Sequence, residues 1–179
     1  MIQDENGGYY TPSLCTHIFK KQLFTQNMLK DMKIIIGEDG ACVIPSVYHA
    51  ESIVFVDKCL YNYCYNGASA TKSKKVFDWD GPLNIYNHLV SKIDISEGDF
   101  KEQLYRKIVH ELMHIVVSRF YQDKRYKEIK QDIKYNLKNC LIYKIAIRKA
   151  SFKSLKGRLL AFAMRHNFIL FFKLYSLRK

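Results

Sequence analysis

Up to Lys74 the apolar residues fall in short runs between polar or glycine stops, and beyond it they recur every three or four positions. Residues 20–27 have the spacing of a short helix. Lys33-Ile34-Ile35-Ile36 is a short strand-like run stopped by Gly37. Glu38 and Asp39 follow, and a helical stretch runs to about Ala50. Ile53-Val54-Phe55-Val56 reads as a buried strand and residues 60–65 as a second, before a turn at Asn66-Gly67-Ala68-Ser69. After Lys74, residues 76–93 and 100–121 have helical spacing, with Ser96-Glu97-Gly98-Asp99 between them. Residues 123–148 predict one basic helix and 151–175 one or two more. The pattern predicts an α/β fold, with a small α/β unit over 1–72 and a mostly helical extension over 73–179.

Composition supports a globular chain. Hydrophobic residues make up 48% of 179, too many for disorder. Only 3 Pro and 8 Gly favour long helices over a turn-rich β fold. The net charge of +12 is uneven: residues 1–118 balance at −2, and 119–179 carry +14. A basic tail of this kind suits an anionic membrane surface or nucleic acid. The five cysteines are odd in number and form no CxxC pair, which predicts free thiols in a reducing compartment. Met1 is followed by polar residues rather than a signal peptide. The longest strictly apolar stretch near the end, 168–172, is far below the roughly 20 residues of a spanning helix. These features predict a cytoplasmic protein, peripheral at most to the inner face of a membrane.

A strand leading into Gly37-Glu38-Asp39 would set two carboxylates at the C-terminal edge of a sheet, where ligands of open α/β sheets collect. The positive end of the following helix favours their ionised form. A carboxylate there can take a proton from a hydroxyl nucleophile. The same residues can equally be a simple helix cap.

Four pieces occur in order. Thr11-Pro12-Ser13 leads to Ile18-Phe19-Lys20-Lys21-Gln22-Leu23-Phe24. Ile36-Gly37-Glu38-Asp39 comes next, then His49-Ala50-Glu51-Ser52-Ile53-Val54-Phe55-Val56-Asp57. Leu60-Tyr61-Asn62-Tyr63 closes the set, with Ser69 and Thr71 shortly after. Over about residues 9–72 this order resembles the second half of bacterial family 2 glycosyltransferases, inverting enzymes of the GT-A fold that build surface polysaccharides. The resemblance implies that Asp39 is the catalytic base, deprotonating an acceptor hydroxyl as it attacks the anomeric carbon. Glu38 would help to place the acceptor. His17 and Gly37 would contribute to binding, and the Ser69–Thr71 loop would lie near the donor diphosphate. It also implies a nucleotide-sugar donor, a glycan or lipid-linked acceptor, and a divalent metal (Mg or Mn) in the complete enzyme. Three residues depart from the family pattern. Thr16-His17 stands where Asn-Lys is common, Cys64 where many members carry Arg, and Pro45 falls inside the helix after Asp39. The family's nucleotide-binding half and its metal-holding Asp-x-Asp would precede residue 1. The expectation is therefore a chain inactive alone, with a missing N-terminal half and sheet edges open to self-association. Asp78-Trp79-Asp80 spells Asp-x-Asp but reads as a helix start.

His110-Glu111-Leu112-Met113-His114 spells HExxH. On a helix this spacing can put two imidazoles on zinc, with the glutamate as base. At 100° per residue from Leu104, apolar residues fill an arc to about 180°, while His110 and His114 fall near about 240° and 280° with Gln103 and Lys107. The wheel predicts a solvated polar stripe. Val117 and Phe120 occupy the metzincin glycine and third-histidine places, and Glu128 is the only glutamate after the motif. A small zinc metallopeptidase at His110, Glu111 and His114 is the alternative reading. A non-enzymatic, membrane-associated remnant of a glycosyltransferase is another.

Residues 151–179 interleave large apolar side chains with Lys153, Lys156, Arg158, Arg165, Lys173, Arg178 and Lys179. That suits a helix lying in an anionic membrane interface, or one packed on the protein's own core. The phenylalanines are clustered and match no nucleic-acid module, so no nucleic-acid partner is expected.

Overall fold

The computed structural model describes residues 13–30, 36–62, 64 and 74–177. Eight α-helices follow one another among them: α1 (Lys21–Asn27), α2 (Glu38–Tyr48), α3 (Gly81–Lys92), α4 (Phe100–Ser118), α5 (Tyr126–Asn139), α6 (Leu141–Lys149), α7 (Leu155–Arg165) and α8 (Ile169–Ser176). Short 3-10 turns lie at Leu14–Thr16 and Arg119–Tyr121.

The expected α/β class, and with it the GT-A-like mixed sheet, is overturned: among the described residues there is no strand and the fold is helical. Ile53-Val54-Phe55-Val56 is irregular and solvent-exposed rather than a buried strand, with Phe55 90% exposed. Leu60 and Tyr61 are exposed as well. The physical reason is that a strand is completed by a partner's N–H and C=O groups, and among the described residues no strand lies alongside these. Lys33, Ile34, Ile35 and the turn at Asn66-Gly67-Ala68-Ser69 lie outside the described residues.

Helix α4 is the axis of the molecule. Its N-terminal part, through Leu104, joins Leu29, Ala41, Cys42, Ile85, Leu89 and Ile93 in one core. From Tyr105 onward it joins α5 to α8 in a second. Tyr86 of α3 packs against both. Small residues of α2, Gly40, Ala41, Cys42 and Ser46, are buried and let it lie close to its neighbours. Pro45 neither delays the helix nor stops it short, for α2 starts at Glu38 and runs three residues past the proline.

Hydrogen bonds from α3 close the end of α1. His88 Nε2 donates to the Asn27 carbonyl at 3.0 Å, and Lys92 Nζ to that of Gln26 at 2.7 Å. These carbonyls are among those a helix end leaves without an internal donor. Arg165 does the same for α6, donating to the carbonyls of Ile147 and Arg148 at 3.2 and 3.1 Å.

The single basic helix expected over 123–148 is two helices, broken at Cys140, whose backbone is extended. Ile129, Ile133 and Leu137 are buried at a spacing of four. A continuous helix would next bury Cys140 or Leu141 and then Lys144. The buried residues are instead Tyr143, Ala146 and Ile147, so the break resets the phase of the apolar face. Between α7 and α8, Asn167 takes the left-handed φ of 53°. Phe168 N–H bonds Ala163 C=O at 2.7 Å and Asn167 N–H bonds Met164 C=O at 3.2 Å, a Schellman end.

The axial role of α4 has a measurable consequence. Leu112 has no exposed surface, and Leu112→Ala is expected to cost about 2–5 kcal/mol in urea unfolding. Leu141 is exposed, and Leu141→Ala should stay within about 0.5 kcal/mol.

Candidate functional site

Gly37 is the pivot of the Gly-Glu-Asp segment. Its φ of 88° is left-handed, a conformation that glycine adopts without strain. A Cβ at this position would stand 2.6 Å from Glu111 Oε1 and 2.7 Å from Ile85 Cδ1. Conformation and close approach therefore each demand glycine. The turn delivers Glu38 and Asp39 into the first turn of α2, where unpaired amides make the helix end positive. Glu38 is exposed and Asp39 half-buried. Partial desolvation pushes the Glu38 carboxyl up, and the adjacent charge of Asp39 adds to it.

Beneath this turn lies a buried ion pair that the sequence reading missed. Lys107 Nζ and Glu111 Oε1 are 2.6 Å apart, one helical turn from each other on α4. Both side chains are buried. Glu111 Oε2 has no hydrogen-bond partner among the described residues. Burial pushes the Glu111 carboxyl up, outweighing the pull of the Lys107 ammonium. The expected solvated stripe is thus corrected: Gln103, Arg106, Lys107 and Glu111 are all buried. Asp99 makes the burial of the first two tolerable. Its carboxylate accepts from Gln103 Nε2 at 2.5 Å and from Arg106 at 3.3 Å. Those bonds, that of Gln103 first, hold the Asp99 carboxyl below its usual range.

The HExxH residues divide between two environments. His110 and His114 are half-buried and meet edge to face, ring centroids 5.0 Å apart. Glu111 is enclosed against Gly37. Among the described residues no group of three or more His, Cys, Asp or Glu is placed to hold a metal ion. Neither zinc nor the divalent metal implied by the resemblance has a donor set among the described residues. Asp80 is the exposed N-cap residue of α3, and Asp78 is close enough for Arg119 to feel its charge.

The other sequence-derived candidates are scattered. His17 Nδ1 bonds the Ser13 carbonyl at 2.8 Å and its ring stacks on Phe19 at 5.5 Å, a local arrangement. Ser69 and Thr71 lie outside the described residues. Cys15, which no sequence signal marked, feels the charge of Asp39. Hydrogen bonds from Ser13 (Oγ to Sγ 2.8 Å) and from Tyr61 pull its thiol down, and the charge of Asp39 pushes the other way.

The support under the turn can be tested by urea unfolding. Gly37→Ala should cost about 2–4 kcal/mol through its φ and its collision with Glu111. Glu111→Gln should cost about 3 kcal/mol, because it leaves a buried ammonium facing a neutral amide. Combining Lys107→Met with Glu111→Leu should cost clearly less than the two single changes added together.

Comparison of the chain with protein-family models, with curated proteins and with solved structures finds no match.

Proposed function

We propose that this chain contributes the acceptor-activating carboxylate of an inverting sugar transfer, as its resemblance to family 2 glycosyltransferases implies, with Asp39 as the base. The observation that carries the proposal is the Gly37 turn. It fixes Glu38 and Asp39 at the start of an 11-residue helix, with a buried scaffold behind them and solvent access in front.

In the proposed reaction Asp39 takes the proton of an acceptor hydroxyl. The oxygen attacks the anomeric carbon of a nucleotide-sugar as the carbon–oxygen bond to the diphosphate breaks on the opposite face. The proton stays on the carboxylate and the electron pair leaves with the diphosphate. Glu38, whose proton is held more tightly than a free glutamate's, orients the acceptor by hydrogen bonding. The donor is held by a separate nucleotide-binding unit, for which the exposed apolar residues Ile53-Val54-Phe55-Val56 offer a contact surface. The acceptor is a glycan or a lipid-linked sugar. The proposed location is the cytoplasm, at the inner face of the membrane. Five free cysteines fit a reducing compartment.

The test is reconstitution. The chain alone is expected to turn over no nucleotide-sugar. Fused to, or mixed with, the nucleotide-binding half of a family 2 glycosyltransferase, it should hydrolyse or transfer the sugar. Asp39→Asn keeps the shape and removes the base, so the rate should fall by roughly 10² or more. Glu38→Gln should cost less. Turnover by the isolated chain would refute the need for a separate donor unit, and an active assembly indifferent to Asp39→Asn would refute the base.

A further inference from the structure

Helices α7 and α8 each carry two apolar faces. In α7 the inner face buries Leu160, Ala161, Ala163 and Met164. Leu155, Leu159 and Phe162 are nonetheless exposed, Leu155 by 70%. With Leu155 at zero and 100° per residue, these three span roughly 60°, on the side opposite Met164. Arg158 flanks the ridge on one side at roughly 60°, beside Arg165, whose guanidinium is turned to the α6 carbonyls, and Lys156 flanks it on the other at roughly 100°. Helix α8 repeats the plan. Ile169 and Phe172 are buried, while Leu170, Leu174 and Leu177 are exposed within roughly 60° of one another, with Lys173 beside them. Phe168, at the turn between the helices, is exposed too.

A helix that packs only on its own protein needs one apolar stripe, with polar residues opposite. The second stripe therefore calls for a second apolar medium. The charge around it is of one sign. Between 141 and 179 there are ten Lys and Arg and no Asp or Glu. Among the described residues no helix is long and apolar enough to cross a membrane, which limits a lipid contact here to the interface.

We propose that α7 and α8 seat on an anionic lipid bilayer, with the outer leucines and phenylalanines at the acyl boundary and the lysines and arginines among the headgroups. A second copy of the chain fits less well, because pairing the ridges would bring two cationic rims together. A nucleic acid would use the cations and would stack on planar side chains. Five of the seven exposed apolar tips are leucines, which offer no π face. This inference stands apart from the sugar-transfer proposal and can fail without it.

The test uses the full chain and vesicles of phosphatidylcholine, with or without phosphatidylglycerol. Co-sedimentation is expected with the anionic vesicles only, and it should weaken as salt rises from about 0.1 to about 0.5 M. Leu159→Ser with Phe162→Ser lies outside the core. It should leave the urea midpoint in place and lower the partition coefficient about tenfold or more. Lys156→Glu with Arg158→Glu should lower it about tenfold while leaving both apolar ridges intact. Equal binding to neutral vesicles would overturn the proposal. So would partitioning indifferent to either pair of substitutions, a lipid-free dimer that the serine pair abolishes, or tighter binding to single-stranded DNA than to the anionic vesicles.

Discussion

Helix α4 packs directly on α3, α6 and α8, and it is buried on nearly all sides, charges included. That burial is expensive in itself, since a lone charge in an apolar interior costs several kcal/mol or more. The chain meets the cost locally. Asp99 at the N-cap collects Gln103 and Arg106, and Lys107 closes on Glu111 one turn further along. Neutralised in this way, one helix can serve two cores. Its N-terminal end shares one core with α1 to α3, and from Tyr105 onward it shares another with α5 to α8, while Glu111 still reaches back to Gly37.

The same pair shapes the candidate site. Glu111 reaches so near Gly37 that no side chain fits there, and Ile85 closes the other side. The carboxylates of Glu38 and Asp39 therefore stand on a turn whose geometry is set from behind by a distant part of the sequence. Side chains on a turn held like this lose little orientational freedom when they engage a partner. The segment after α2 contrasts with it. Ile53 to Val56 are apolar and exposed, with no such backing.

How much of this was legible in the sequence depended on how local the cause was. Helices α1, α2 and α4 follow from apolar spacing and from end signals such as Gly37, whereas the same spacing left 151–175 as one helix or two. The start of α2 at Glu38 was readable because glycine and the acidic pair are adjacent in sequence. The break at Cys140 was readable in principle. The spacing of Ile129, Ile133 and Leu137 slips before Tyr143 and Ile147, but the basic residues on both sides hid the slip. The strands failed for a different reason. β character was visible in Ile53-Val54-Phe55-Val56, yet a strand exists only with a neighbour, and its own sequence cannot supply one. The polar stripe of α4 was misread because burial of a charge is decided by what faces it. The i,i+4 spacing of Lys107 and Glu111 was the one sign that these charges could satisfy each other, and nothing in the sequence pointed from there to Gly37.

The acid-free stretch after Asp132 has a consequence for how α7 and α8 respond to their surroundings. Most protein surfaces carry both signs and change net charge as carboxylates gain protons. Acidification finds no acidic side chain to discharge between Ile133 and the last described residue, and can only add positive charge. The attraction of this surface for anions therefore does not weaken in acid, and ionic strength is the variable that governs it.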